Sequence, residues 1–435
     1  MKYALIYPGI SWSGFNSFGK DLGGEANFIH HGMGTIASYL KKFGHDCDFI
    51  DLRRLKNWSD FTKTIKNTHY SVYGISSTTV DFDYSIKAAR IIKKIYPHAV
   101  VVVGGVHPTV RPTDALKIKE FTYIVVGEGE KAMLQIINAQ ISKKKLPRLI
   151  KGLSCQLEEI PHIDRDLFNH HQGEMIHPFV SDLPIPFATI MSSRGCPFNC
   201  TFCQPAERLI FGGVVRLREM SDVVDEIKEI NRKYGLKSFL IHDDLFIISK
   251  ERINKFVRLY KKSGVKAVFM CQARADLVIR FQNEIKKLAE IGLIGIMIGF
   301  ESGSQRILKF INKQTTVEDN LKAAEICHHL GIKIWANYML GIPSETYSEM
   351  WQTVRMIRKI NPEYYSPSLF TPYPQTGLYD YCQERNLLLF THFSDYRRSL
   401  KGDKIRGFNY NFIRILIFLY MPFKLKINIF RYLLK

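Results

Sequence analysis

Phe187-Ala188-Thr189-Ile190-Met191-Ser192-Ser193-Arg194-Gly195-Cys196-Pro197-Phe198-Asn199-Cys200-Thr201-Phe202-Cys203 sets an apolar run directly before three cysteines spaced Cys-x3-Cys-x2-Cys. The run Phe187–Ser192 predicts a buried strand, and Ser193–Cys203 predicts a loop at its C-terminal end. Three thiolates on one loop can hold three irons of a [4Fe–4S] cluster and leave the fourth iron open to an outside ligand. A structural zinc needs four ligands, usually as two Cys-x2-Cys pairs, and the chain has no second pair.

Outward from this loop, residues 187–390 repeat one pattern. Strands are predicted at Phe187–Ser192, Ser238–Ile241, Ala267–Cys271, Gly295–Phe300, Ile334–Leu340 and Tyr364–Leu369. Helices are predicted at Ser221–Tyr234, Lys250–Lys262, Asn283–Glu290, Val317–Leu330, Tyr347–Lys359 and Leu378–Arg385. The fold class is therefore α/β, with a partial (β/α)6 TIM-type barrel whose chemistry belongs at the C-terminal ends of its strands. Those ends carry His242-Asp243-Asp244, Arg274-Ala275-Asp276, Glu301-Ser302-Gly303-Ser304, Gly341-Ile342-Pro343-Ser344-Glu345 and Thr371-Pro372-Tyr373-Pro374. Glu301 can accept hydrogen bonds from both hydroxyls of a ribose. Asp243 or Asp244 can take an ammonium group, and Arg274 suits either a ligand carboxylate or a salt bridge to Asp276.

Residues 1–141 show a second alternation. Near-continuous apolar strands at Tyr3–Tyr7, Cys47–Leu52, Val72–Ser76, Val100–Val103 and Tyr123–Val126 are separated by helical spacing at Gly34–Phe43, Phe61–Asn67 and Tyr84–Ile95, with Lys131–Ile141 last. This predicts a flavodoxin-like doubly wound parallel sheet with a ligand beyond its strand ends. There lie Ser76-Ser77-Thr78, Gly104-Gly105-Val106-His107 and Gly127-Glu128-Gly129-Glu130, where glycines let a large ligand approach the backbone. Gly32-x-Gly34-x-x-Ala37 mimics a dinucleotide fingerprint but is far from the first strand's turn, so nicotinamide or flavin binding is set aside. The long Pro8–His31 connection suits a cofactor or substrate lid. Residues 142–186, with Pro147, Pro161, Pro178, Pro184 and Pro186, read as a linker.

The formal charge of +20 is unevenly spread, since residues 397–435 hold ten basic side chains against one acid. Residues 391–435 thus read as a basic, aromatic tail. Phe408–Leu434 suits either a last helix docked on the barrel or peripheral contact with an anionic membrane surface. Cys47, Cys155, Cys271, Cys327 and Cys382 stand alone and read as reduced core thiols. With no signal-peptide pattern and no apolar run of the ~18–20 residues that a spanning helix needs, the expected location is cytoplasmic.

Cys196, Cys200 and Cys203 in this context resemble the signature of the radical S-adenosylmethionine superfamily. The glycine-rich strand ends, Phe300-Glu301-Ser302-Gly303-Ser304-Gln305 and Pro372-Tyr373-Pro374 resemble its cobalamin-binding branch over roughly residues 1–390. The resemblance implies cluster ligation by the three cysteines, which together form the expected catalytic set. It implies S-adenosylmethionine contacts from Phe202, Asp243, Asp244, Arg274, Glu301 and Ser302. Cobalamin would meet Ser76, Ser77, Thr78, Gly104, Gly105, His107, Gly127 and Glu128, although His107 equally suits a helix-capping role. No Asp-x-His-x-x-Gly occurs, which argues against a histidine of this domain replacing the cofactor's own base. The implied activity is C-methylation of an unactivated carbon through a 5′-deoxyadenosyl radical, on a small-molecule or lipid substrate, with flavodoxin or ferredoxin as electron donor. A radical cyclase or rearrangement enzyme is the alternative. An RNA-modifying enzyme is more distant, because methylthiolating relatives need N-terminal cysteines where this chain has only Cys47.

Overall fold

The computed structural model describes residues 1–17, 29–168, 183–203, 205–398 and 400–420. Strands β1 (Lys2–Tyr7), β2 (Asp46–Asp51), β3 (Val72–Ser76), β4 (Val100–Gly104), β5 (Tyr123–Gly127) and β6 (Leu149–Gly152) form one parallel sheet, ordered β2-β1-β3-β4-β5-β6. Alternate residues of one strand enter different cores. Ile75, Val101 and Val103 pack with Phe61, Phe82 and Ile92, whereas Val72, Val100 and Val102 pack with Leu40, Met133 and Ile136. That is the physical reason for the unbroken Val/Ile runs: both faces are covered, so both sets of side chains must be apolar. The strand order reverses between β1 and β3, which opens a crevice over their C-terminal ends.

β6 corrects the reading of residues 142–186 as linker throughout, because Ile124–Gly127 pair with Leu149–Gly152 in parallel register. Only Ile150 of this short edge strand is buried, so neither an apolar run nor an alternation marks it. The rest of the stretch contributes short 3₁₀ turns, and Pro178 lies outside the described residues.

The second half holds β7 (Phe187–Ile190), β8 (Ser193–Arg194), β9 (Arg216–Leu217), β10 (Ser238–Ile241), β11 (Val268–Ala273), β12 (Leu293–Glu301), β13 (Lys333–Leu340) and β14 (Tyr364–Leu369). Apart from the β8–β9 pair, these strands lie in sequence order in a curled parallel half-barrel, β7 and β14 at its edges. Phe239 stacks on Phe269 at 5.0 Å, and Phe256 meets Phe269 edge-on at 5.8 Å, so large rings fill the space between sheet and helices. A short helix, Ala275–Arg280, precedes the expected one, which runs Gln282–Ala289.

Helix Tyr410–Tyr420 docks on the barrel: Ile413, Leu416 and Ile417 are buried against Leu340, Met350 and Leu369. Ile415 and Leu419 face outward, at 55% and 56% exposure. Among the described residues no helix is long and apolar enough to cross a membrane. Residues 421–434 of the expected membrane-surface segment lie outside the described residues.

Glu349 joins two strand-end loops. It accepts from the Thr346 backbone N–H at 2.9 Å to complete a capping box, and also from Ser304 Oγ at 2.8 Å and Arg306 Nε at 2.7 Å. The Arg306 hydrogen bond is the main cause that holds its carboxyl at about 2. A depressed carboxylate contributes stability above its ordinary value of 4.5 and loses it as pH falls through about 2. Glu349→Ala should therefore cost about 1–2 kcal/mol at neutral pH, read as a lower Tm, and the gap to wild type should close in strong acid.

Candidate active site at the junction of the two domains

The cysteine loop starts from a clamp. Arg194 pairs with Arg216 in the β8–β9 ladder, so both ends of the loop are held together. Gly195 between Arg194 and Cys196 has φ +99°, and an added Cβ would meet the Val214 carbonyl oxygen at 2.4 Å, so only glycine fits. Arg194 then crosses to the N-terminal sheet. Its guanidinium donates to Glu128 and, at 2.8 Å, to Glu130, while Arg216 donates to Glu128 as well. Burial opposes ionisation of Glu128, but the two arginines overcome it and hold the carboxyl below its ordinary value.

Between the domains lies a cavity of about 660 Å³. The ends of β3, β4 and β5 supply Ser76, Thr78, Gly104, Gly105, Gly127 and Glu128, and the barrel supplies Phe202, Cys203, Asp244, Phe370 and Tyr373. Gly105 and Gly127 have φ +97° and +95°, and Gly104 is open toward the space, so bare backbone faces a ligand there. Such a cradle fits a broad, flat cofactor. The three thiols are unpaired and sit on one loop, which fits a cluster with one iron left open. Burial raises the Cys196 thiol above its ordinary range, so bound metal must supply the drive for its deprotonation.

Several of the expected contact residues do not line this cavity, and each is engaged with other groups of the chain. Ser77 turns into the sheet domain, where its hydroxyl accepts from Ser85 Oγ at 2.9 Å. His107 is fully buried off the cavity, its ring 4.1 Å from Phe82 and its Nδ1 3.3 Å from Thr79 Oγ1. Asp243 is committed to the Ser192 and Ser193 backbone N–H groups, at 2.6 and 3.2 Å, and to the Ser192 hydroxyl. Of the two aspartates left open by the sequence, Asp244 alone is on the cavity wall. Arg274 salt-bridges Asp276 at 3.0 Å, stacks 3.5 Å from the Phe198 ring centroid and approaches Cys200 Sγ at 3.9 Å, so it braces the cysteine loop. Glu301 has left-handed backbone at φ +62°, beside a register shift in β12, and its carboxylate pairs with Lys313 at 3.0 Å. Ser302 is buried against Thr353 Oγ1 at 3.1 Å. Glu345 folds back onto the Gly341 N–H at 2.7 Å, closing the fifth-strand loop on itself.

Other residues on the wall were not singled out from sequence. Glu207, four residues past Cys203, hydrogen-bonds to Asp244, and its Oε2 is buried without a partner. Burial, then Asp244, raises its carboxyl to about 9. His31 donates or accepts at Thr189 Oγ1 (2.7 Å) across the junction, and burial holds its imidazole neutral. His30 caps helix His31–Lys41 and contacts Ser76 Oγ at 3.0 Å. Pairing of an acid beyond the cysteine loop with a strand-end acid leaves no local pattern to search for, and the histidines read only as a helix start.

The Radical SAM superfamily profile matches residues 190–357, and a B12 binding domain profile matches residues 19–137. An uncharacterized methyltransferase of Pyrococcus horikoshii is 30% identical over 386 residues, covering 84% of this chain and 81% of the relative. The chain belongs to the cobalamin-dependent radical S-adenosylmethionine enzymes. Its cofactors are accordingly a [4Fe–4S] cluster, S-adenosylmethionine and cobalamin. The anaerobic magnesium-protoporphyrin IX monomethyl ester cyclase of Rubrivivax gelatinosus is 25% identical, covering 95% of the enzyme and 73% of the relative. The solved structure of the cobalamin-dependent S-adenosylmethionine radical enzyme OxsB with aqua-cobalamin superimposes with TM-score 0.73 at 18% identity. That match covers 92% of the enzyme but only 64% of OxsB, so this chain spans under two thirds of that structure.

A carboxyl raised from 4.5 to about 9 gives stability below its unfolded value and loses it as pH rises through the folded one. Glu207→Gln, neutral at every pH, should raise Tm relative to wild type at about pH 8, with the difference shrinking toward about pH 5. A constant difference across that range would contradict the assignment.

Proposed function

We propose that the enzyme is a C-methyltransferase acting on an unactivated carbon of a small-molecule or lipid substrate. One observation carries this reading: the glycine-rich strand ends of the B12-binding sheet and the third cysteine of the radical domain face the same cavity. In this reading Cys196, Cys200 and Cys203 hold the cluster, and Phe202 and Asp244 contact S-adenosylmethionine. Ser76, Thr78, Gly104, Gly105 and Gly127 cradle cobalamin. When bound, the cluster and S-adenosylmethionine supply a carbon-centred radical and cobalamin supplies a methyl group. The chain holds both sites at a fixed separation through Arg194, and its apolar wall keeps water from reactive species. A protein such as flavodoxin or ferredoxin delivers the electron.

The relationship to the magnesium-protoporphyrin cyclase over 95% of the chain favours a second reading, ring formation or rearrangement without methyl transfer. Methyl-labelled S-adenosylmethionine incubated anaerobically with the reconstituted enzyme and cell extract separates the two. Label in a new small-molecule product is expected; product formed without label would exclude the methylase reading.

Cys200→Ala should lower iron and sulfide content and abolish 5′-deoxyadenosine release under reducing conditions, while cobalamin binding to the other domain persists. Wild-type iron content in that variant would refute the assignment of the three cysteines.

A further inference from the structure

Composition places residues 391–435 outside the chemistry, yet the structure brings part of them to the cavity. Leu388 and Ile405 pair in an antiparallel bridge, so residues 388–405 form a strap closed at its base. The base is reinforced where Arg406 N–H donates to Leu387 at 2.7 Å and Leu389 N–H donates to Lys404 at 3.2 Å. Inside the strap, the Lys404 ammonium is buried and donates to the carbonyl oxygens of Asp395 and Arg397, both at 2.9 Å. The strap's outer side grips both domains. Phe393 lies edge-on against Phe82 and His107 of the N-terminal sheet, each at 5.0 Å. Tyr396 stacks on Tyr373 of the barrel at 6.3 Å.

Two residues further on, Arg398 lies on the wall of the same cavity as Cys203. The other charged groups of that wall are engaged with one another: Arg194 pairs with Glu128 and Glu130, and the acids Glu207 and Asp244 face each other, with Glu207 held protonated. Among the described residues no carboxylate pairs with Arg398. A guanidinium beside a largely apolar space, with no acid of the described residues paired to it, is suited to a bidentate oxyanion brought in by a ligand.

We propose that Arg398 is the oxyanion-binding residue of the reaction cavity, and that it selects an apolar substrate carrying one carboxylate or phosphate group. Met33, Ile75, Val102, Met339, Leu369 and Phe370 provide the wall for the apolar body. This inference rests on the cavity being the place of reaction. The same oxyanion chemistry is offered by the methionine carboxylate of S-adenosylmethionine, and the experiment separates the two sources.

Full-length wild type, Arg398→Gln and Arg398→Lys are reconstituted anaerobically with iron, sulfide and cobalamin, and matched for iron and cobalamin content. Equilibrium dialysis measures their binding of S-adenosylmethionine and of decarboxylated S-adenosylmethionine. In parallel, each receives methyl-labelled S-adenosylmethionine and cell extract, and labelled products are separated by anion exchange. A substrate oxyanion on Arg398 predicts unchanged affinity for both nucleotides, a loss of about tenfold or more in anionic labelled product with Arg398→Gln, and partial recovery with Arg398→Lys. Weaker binding of S-adenosylmethionine alone, with the decarboxylated analogue unaffected, would keep the oxyanion role but overturn the substrate class. If Arg398→Gln behaves as wild type throughout, or loses affinity for both nucleotides equally, Arg398 binds no oxyanion. Failure of the methyl-transfer reading shows separately as absence of label with wild type. Extract-stimulated 5′-deoxyadenosine release then replaces label as the substrate readout.

Discussion

Arg194 stands one residue from the glycine that opens the cysteine loop and reaches out of the barrel to two carboxylates of the other domain. Its side chain and those of Glu128 and Glu130 are largely buried. Groups so placed are costly to desolvate, and removing one partner leaves the others uncompensated, typically at about 3–5 kcal/mol. The network is therefore less a source of net stability than a constraint on geometry. With Arg194 in place, the radical-generating loop and the β5 end of the sheet cannot slide past one another. Every later feature of the cavity depends on that registration, because the cavity has one wall from each domain.

Further ties act in the same direction. Asp243 holds the end of β7 to the end of β10 by accepting from two successive backbone N–H groups. His31 reaches Thr189 from the sheet domain, and burial keeps it neutral, so it acts as a hydrogen-bonding group without adding charge to the junction. The strap after the barrel closes the circuit by placing Phe393 on one domain and Tyr396 on the other. Among the described residues, the Glu207–Asp244 acid pair, the Arg398 guanidinium and an apolar surface line the cavity beside that network. Such a space can orient large cofactors while excluding water.

Much of this architecture is legible in the chain itself. Strand positions follow from apolar runs, because sheets covered on both faces demand them, and the two exceptions are instructive. β6 has one buried side chain, too few to make a pattern, and helix Ala275–Arg280 is a single short segment after a strand. The site is legible by region and only partly by residue. Ser77 and Ser76 are neighbours, yet only Ser76 faces the cavity, because Ser77 is drawn into the hydrogen bond with Ser85. Glu301 sits at the expected strand end, but a left-handed backbone turn and Lys313 take its carboxylate. Arg398 and Glu207 carry no sequence signal, since their meaning comes from groups that meet them only in space.

The amino-acid sequence by itself determined the order of the two α/β units, the parallel character of their sheets and the cluster chemistry of the cysteine loop. These are local properties, set by side-chain periodicity and by the spacing of thiols along one short segment. Only the tertiary structure decided which of the many polar strand-end groups share one cavity, that Asp243 bonds the Ser192 and Ser193 backbone while Arg274 pairs with Asp276, and that Arg398 of the C-terminal segment lines the cavity. Those outcomes depend on backbone direction at single residues and on partners separated by scores of positions, as with Arg194 and Glu128, and no linear pattern encodes them.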